Sequence, residues 1–133
     1  ATALEGRLKL MEIAYVPAIA YPAGESKHGP ISLVEPGFPV VFVCPPDETR
    51  KVVIGNIMEM KARGASIIAI IDEDDEEIKE LADEYIEIPG NVPGVLSPIP
   101  YVVPLQLFAY YMAVEKGLDP DKPRNLAKSV TVK

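Results

Sequence analysis

Tryptophan is absent from the 133-residue chain, and histidine and cysteine occur once each, as His28 and Cys44. A lone thiol rules out an internal disulfide, and one imidazole with one thiol is too few ligands for a usual His/Cys zinc site. Positive charge is scarce as well: 13 Lys and Arg stand against 20 Asp and Glu, for a formal charge of -7 and a pI of about 4.7. That balance argues against a nucleic-acid backbone or an anionic membrane as the main partner, although local Lys and Arg groups can still hold a small anion. Every apolar run falls short of the roughly 20 residues that cross a bilayer, so no transmembrane segment is expected. The opening Ala1-Thr2-Ala3-Leu4-Glu5-Gly6-Arg7-Leu8-Lys9 has no basic stretch leading into an apolar core. With that opening and a single cysteine, the chain reads as intracellular and cytoplasmic.

The length suits one domain over 1–133, burying roughly two-thirds of its unfolded surface. Leu4, Leu8, Met11 and Tyr15 recur at helical spacing and form a stripe expected to pack on a core. The chain thus opens inside or just before a helix with no strand ahead of it, which is taken to mean missing upstream sequence. Pro17, Pro22 and Gly24 break the next stretch and put His28 on a shaped loop or short helical turn. Phe38–Cys44 and Ser66–Ile71 are apolar without polar alternation, as strands of a parallel sheet covered on both faces should be. Between them Asp47 is expected to cap a helix whose inward stripe is Val52, Val53, Ile57 and Met60, with Gly64 near its end. These segments make a βαβ unit. A charge-rich turn from Asp72 to Glu77 starts a short helix, Tyr85–Ile88 is a third strand, and Leu96–Lys116 is a helix in which Pro98, Pro100 and Pro104 sit at the entrance or bend it. The acidic turn reads as a helix start, where negative side chains are favourable, and it lacks an EF-hand pattern. Leu118–Lys133 should be extended or looped.

Glu5, Lys9 and Glu12 are spaced by four and three residues, within about 60 degrees of one another on a helix. One explanation is a solvated face with an ion pair. The other is a polar cleft in which a carboxylate, best Glu12, moves protons while Lys9 stabilises developing negative charge, as aldose–ketose isomerisation requires. His28, ahead of Gly29-Pro30, exchanges protons near neutral pH but is equally read as structural or exposed. Lys128 is either a surface lysine or, with its pKa lowered by burial or neighbouring positive charge, a Schiff-base former on a catalytic tail.

Four segments taken together resemble the glucosamine-6-phosphate synthase family, the glutamine:fructose-6-phosphate aminotransferases with sugar isomerase (SIS) domains. They are Ala3-Leu4-Glu5-Gly6-Arg7-Leu8-Lys9-Leu10-Met11-Glu12, Gly24-Glu25-Ser26-Lys27-His28-Gly29-Pro30, Val103-Pro104-Leu105-Gln106-Leu107 and Asp121-Lys122-Pro123-Arg124-Asn125-Leu126-Ala127-Lys128-Ser129-Val130-Thr131-Val132. The resemblance spans nearly the whole chain. It implies a three-layer α/β/α sandwich with a parallel sheet, forming less than the full second isomerase domain plus its C-terminal tail. It also implies roles for single residues. Glu12 matches the group that transfers the proton between C1 and C2. His28 matches the histidine that assists ring opening from the neighbouring subunit, and Lys128 the lysine that forms the Schiff base with fructose 6-phosphate. Glu5 and Lys9 complete the polar site, and Ala127 joins Lys128 and Glu12 at the substrate. The implied ligands are fructose 6-phosphate or glucosamine 6-phosphate, with no metal or organic cofactor and with a homodimer as the assembly.

The glutaminase domain and the first isomerase domain, with its Ser/Thr-rich phosphate pocket, have no counterpart in these residues and are expected as partners. Ser26 stands where relatives commonly carry an apolar residue, a change expected to have a modest effect, and Pro17 and Pro22 stiffen the approach loop. A phosphosugar isomerase without amination, and a noncatalytic sugar-phosphate-binding or association module, remain the alternatives.

Overall fold

The computed structural model describes residues 1–90 and 92–125. In chain order its elements are α1 (Thr2–Ile13), β1 (Pro39–Cys44), α2 (Arg50–Lys61), β2 (Ser66–Asp72), α3 (Glu76–Leu81), β3 (Glu84–Ile88) and α4 (Pro98–Glu115). Short 3-10 turns at Ala23–His28, Pro30–Leu33 and Gly94–Leu96 connect them. Two compact units result, one formed by Tyr21–Tyr101 and the other by Ala1–Ala20 with the chain from Val102 onward.

In the Tyr21–Tyr101 unit the strands lie parallel in the order β1-β2-β3, with Pro39 opposite Ser66 and Ile68 opposite Glu84. The parallel sheet flanked by helices is the α/β class expected from the sequence. Phe42, Cys44, Ile67, Ala69 and Ile71 of β1 and β2 form one core with Val53, Ile57 and Met60 of α2 and Ile78 of α3. Burial and the nearby Asp75 carboxylate push the Cys44 thiol up to about 12, so it is a protonated, unreactive core group at neutral pH.

The expected inward stripe of α2 is corrected at one position. Val52 points to solvent at 58% exposure, and Asn56 takes the inward place. Residues 53, 56, 57 and 60 form one helical arc, and position 52 lies about a quarter turn from its centre. The Asn56 amide is satisfied by donating to the Val52 carbonyl at 2.6 Å and accepting from the buried Ser26 hydroxyl at 3.5 Å. The capping expectation changes too. Thr49 is the residue ahead of α2, and Asp47 instead accepts from the Thr49 backbone N–H at 2.8 Å and its hydroxyl at 2.6 Å, closing the preceding turn.

Asp75 does cap α3, accepting from the Ile78 N–H at 3.1 Å. The Arg50 guanidinium donates to both Asp75 oxygens at 2.8 and 2.7 Å and to Glu77 at 2.9 Å, pinning α2 to the start of α3. This bidentate contact holds the Asp75 carboxyl below the usual carboxylate range, with the Ile78 N–H adding to it and burial opposing it.

In the other unit the expected packing of α1 is overturned. Leu4, Leu8 and Met11 are 52%, 42% and 42% exposed, whereas Gly6 is buried. A Cβ added at Gly6 would meet Leu105 Cδ1 at 2.9 Å and Leu105 Cβ at 3.0 Å, so the missing side chain allows α1 and α4 to touch. Leu4, Leu8 and Met11 sit roughly 140 to 160 degrees around the helix from Gly6, on the far side.

The expectation that no apolar stretch reaches membrane-spanning length also needs amending, because Gly94–Glu115 is long and apolar enough by length and composition. No charged residue falls between Leu96 and Val114. Tyr101, Leu105, Ala109 and Ala113 are nevertheless buried at every fourth position, the period of a helix packed along one face.

Asp75→Ala should destabilise the fold by about 2 to 3 kcal/mol in urea unfolding at pH 7, through loss of the cap and of the Arg50 partner. Because the folded carboxyl is held low, its contribution is present above the unfolded value near 3.9 and is lost as pH falls through the folded one. The gap between wild type and variant should therefore close below about pH 4. A gap constant from pH 7 to pH 3 would refute this account.

Candidate active site

Helix α1 brings three of the expected site residues together. Lys9 Nζ lies 2.7 Å from a Glu12 carboxylate oxygen and 3.5 Å from Glu5, at i,i+3 and i,i+4 spacing. The Lys9 and Glu12 side chains are only 29% and 27% exposed. They flank the buried Gly6 arc at roughly 60 and 120 degrees, so they are better shielded than the apolar stripe opposite. That inversion argues against an ordinary solvated ion pair, whose charges would face water while the leucines faced the core. The hydrogen bond to Glu12 raises the Lys9 pKa, burial opposes the rise, and the negative charges of Glu12 and Glu5 support it. Lys9 is therefore a firmly protonated ammonium held between two carboxylates, able to stabilise negative charge and unsuited to act as a neutral base.

His28 belongs to the other unit, at the end of the 3-10 turn Ala23–His28, and its side chain is exposed. The turn is tied down by its neighbours: Ser26 reaches Asn56, and Lys27 pairs with Glu59 at 2.8 Å. Gly29 follows with φ 142, a conformation open to glycine and rare for other residues. Ala127 and Lys128 lie outside the described residues. Among the described residues no three His, Cys, Asp or Glu side chains converge as a metal site would require.

A feature the sequence concealed lies just beyond α1. Tyr15, counted in the apolar stripe by its spacing, has φ 54 and grips the chain ahead of the tail. Its hydroxyl accepts from the Arg124 backbone N–H at 2.7 Å, and the Arg124 guanidinium carbon lies 4.2 Å from its ring centroid. The available signal was a bulky residue at a helix C-terminus where glycine or asparagine is usual.

Residues 1–116 match the family model described as SIS domain. The chain belongs to that family. This SIS chain is 58% identical over 130 residues to glutamine–fructose-6-phosphate aminotransferase (isomerizing) of Sulfurisphaera tokodaii, covering 98% of itself and 21% of that protein. Its identity to the aminotransferase of the same name from Methanothermobacter thermautotrophicus is 50% over 131 residues, covering 98% and 22%. Among solved structures it is similar to the C-terminal domain of glucosamine-fructose-6-phosphate aminotransferase from Francisella tularensis. That match has a TM-score of 0.81 and 38% identity, over 91% of this chain and 34% of that one. The SIS chain thus closely matches an isomerase part of these enzymes and has their α/β/α class of fold. It spans about a fifth of the length of the curated relatives it matches.

The Lys9 arrangement makes a direct prediction. In an NMR titration of the Lys9 side chain, Glu12→Gln should lower the midpoint more than Glu5→Gln does, because the 2.7 Å bond outweighs the 3.5 Å contact. Equal shifts, or an upward shift in Glu12→Gln, would contradict the geometry.

Proposed function

We propose that this SIS chain supplies the isomerase half of an aminotransferase that converts fructose 6-phosphate and glutamine to glucosamine 6-phosphate and glutamate. The observation that carries the reading is the shielded Glu5–Lys9–Glu12 face of α1, on a chain that matches these aminotransferases over 98% of its length.

In this reading His28, contributed by the neighbouring subunit of a homodimer, assists ring opening. The neutral Lys128 amine attacks the C2 carbonyl, water leaves, and a Schiff base forms. Ammonia then adds at C2 and the lysine amine departs. The Glu12 carboxylate takes a proton from C1 and the C–H electron pair becomes the C1–C2 double bond, while the Lys9 ammonium stabilises the electron density pushed toward the C2 substituent. Returning that proton to C2 while the C1 hydroxyl loses its own leaves the aldose carbonyl at C1. Glu5 keeps Lys9 charged and oriented, and Ala127 lines the substrate beside Lys128. The phosphate is held mainly by the first isomerase domain, and glutamine is hydrolysed by a glutaminase domain. An isolated 133-residue chain is therefore inactive, and the cytoplasm, where the sugar phosphate is found, is its location.

Two ordinary features support this division of labour. The exposed Leu4, Leu8 and Met11 stripe, together with Ile99, Val103, Leu107 and Tyr111 on α4, provides apolar surface for other segments or a second copy to cover.

The test is isotope exchange at C1 and C2 of fructose 6-phosphate, measured on the chain combined with glutaminase and first isomerase domains. Glu12→Gln should slow exchange by about 100-fold or more, the range for loss of a positioned acid–base group. Lys128→Ala should abolish the adduct that borohydride traps. Normal exchange in both variants would sink these assignments. An aldose phosphate that never contains nitrogen, with ammonia present, would favour isomerisation without amination. Binding of sugar phosphate without turnover by the full assembly would favour a noncatalytic module.

A further inference from the structure

His28 ends the 3-10 turn Ala23–His28, in which side chains three residues apart fall on one row. Ala23 and Ser26 share such a row, and it faces inward: Ala23 packs against the core and Ser26 is 1% exposed. Lys27 and His28 follow at about 120 and 240 degrees from Ser26, on opposite flanks of the turn. The Lys27 flank is tied to Glu59 of α2 at 2.8 Å, while the His28 side chain is exposed. The backbone beyond is fixed as well. Gly29 has φ 142, and its carbonyl accepts from the Ser32 N–H at 2.9 Å and the Ser32 hydroxyl at 2.7 Å. Ile31 then packs against the same core as Ala23. An exposed imidazole thus stands on a backbone anchored on both sides.

On α2, Val53, Ile57 and Met60 are buried apolar groups, yet Asn56, 4% exposed, shares their face. Its hydrogen bond with Ser26 is long at 3.5 Å, but burial denies both groups bulk water as a substitute. The amide is steadied from its other end by the Val52 carbonyl at 2.6 Å. Apolar contact is non-directional and lets a short turn roll on a helix, whereas a hydrogen bond and an ion pair fix direction. Asn56 and Glu59 are three residues apart, about 60 degrees around α2, so they hold two adjacent rows of the turn, through Ser26 and Lys27. We propose that Asn56 and Glu59 are positioning residues for His28. They set the roll of the turn, and with it the direction in which the imidazole leaves the backbone. The proposal rests on the ring-opening role given to His28 above. It accounts for a buried amide where an apolar side chain would complete the α2 stripe.

The test uses the chain combined with the proposed glutaminase and first isomerase domains, and two substrates. Fructose 6-phosphate must open its ring before it reacts. In 5-deoxyfructose 6-phosphate the hydroxyl that closes the furanose is missing and the phosphate blocks the other, so the ketone is already open. One variant, Ser26→Ala with Asn56→Leu, removes both polar partners together and leaves neither orphaned. The other, Glu59→Lys, sets a like charge against Lys27 at an exposed position. Both should keep a thermal midpoint close to that of wild type. In single turnovers of fructose 6-phosphate the double variant should be about tenfold slower than wild type and Glu59→Lys about threefold, as expected for small misplacements of a working group. Both should convert the open-chain analogue at the wild-type rate. His28→Ala should show the same split between substrates, more strongly. Equal slowing on both substrates, or wild-type rates on both, in a folded variant would overturn the positioning role of the residue it changes while leaving that of His28 standing. His28→Ala without the split would instead overturn the ring-opening reading, and the positioning role with it. Should the double variant fail to fold, Glu59→Lys decides by the same criteria.

Discussion

One missing side chain orients the candidate site. Gly6 lets α1 approach Leu105 so closely that a single added Cβ would collide with it, and that contact decides which side of α1 faces inward. Once position 6 faces in, geometry places Lys9 and Glu12 on its flank and Leu4, Leu8 and Met11 opposite. The partial shielding of the charged face follows from this rotation, whereas the short Lys9–Glu12 bond and the raised Lys9 pKa follow from the i,i+3 spacing along α1. The cost is an apolar stripe left in solvent.

Parallel α/β sheets usually bind ligands at the carboxyl ends of their strands, beside the N-termini of the following helices. That rim is poorly suited to a phosphate here. Asp47 and Glu48 follow β1, and Asp72 to Asp75 follow β2. Asp47 already occupies the turn before α2, and one basic group there, Arg50, is committed to Asp75 and Glu77. The rim therefore reads as structural, a charge network joining α2 to α3. The proposed chemistry is instead assigned to α1, where Lys9 lies between the Glu5 and Glu12 carboxylates.

The legible parts of the sequence were those governed by local periodicity and turn chemistry. The apolar runs gave β1 and β2, Gly64 ended α2, and Asp75 lay within the acidic turn read as a helix start. Glu5, Lys9 and Glu12 fell on one face because helical spacing requires it. What escaped was the rotation of a helix about its own axis, which spacing cannot fix when two faces compete. On α1 four apolar residues pointed to the wrong core, because the close approach at Gly6 depends on Leu105, 99 positions away in sequence. On α2 Asn56 displaced Val52 because Ser26 gave its amide a buried partner. Tyr15 was hidden for the same reason: its partner, Arg124, is distant in sequence, and its stripe position suggested packing alone.

The central claim is that the Glu5–Lys9–Glu12 face of α1 meets the reacting carbons of a sugar phosphate. A crystal structure of the chain combined with the proposed glutaminase and first isomerase domains, soaked with glucosamine 6-phosphate, tests it most directly. The account predicts a Glu12 carboxylate oxygen within about 3.5 Å of C1 or C2 of the sugar, with Lys9 still bonded to Glu12. A sugar bound beside Asp47 and Asp72 at the strand ends, with α1 out of reach, would contradict it.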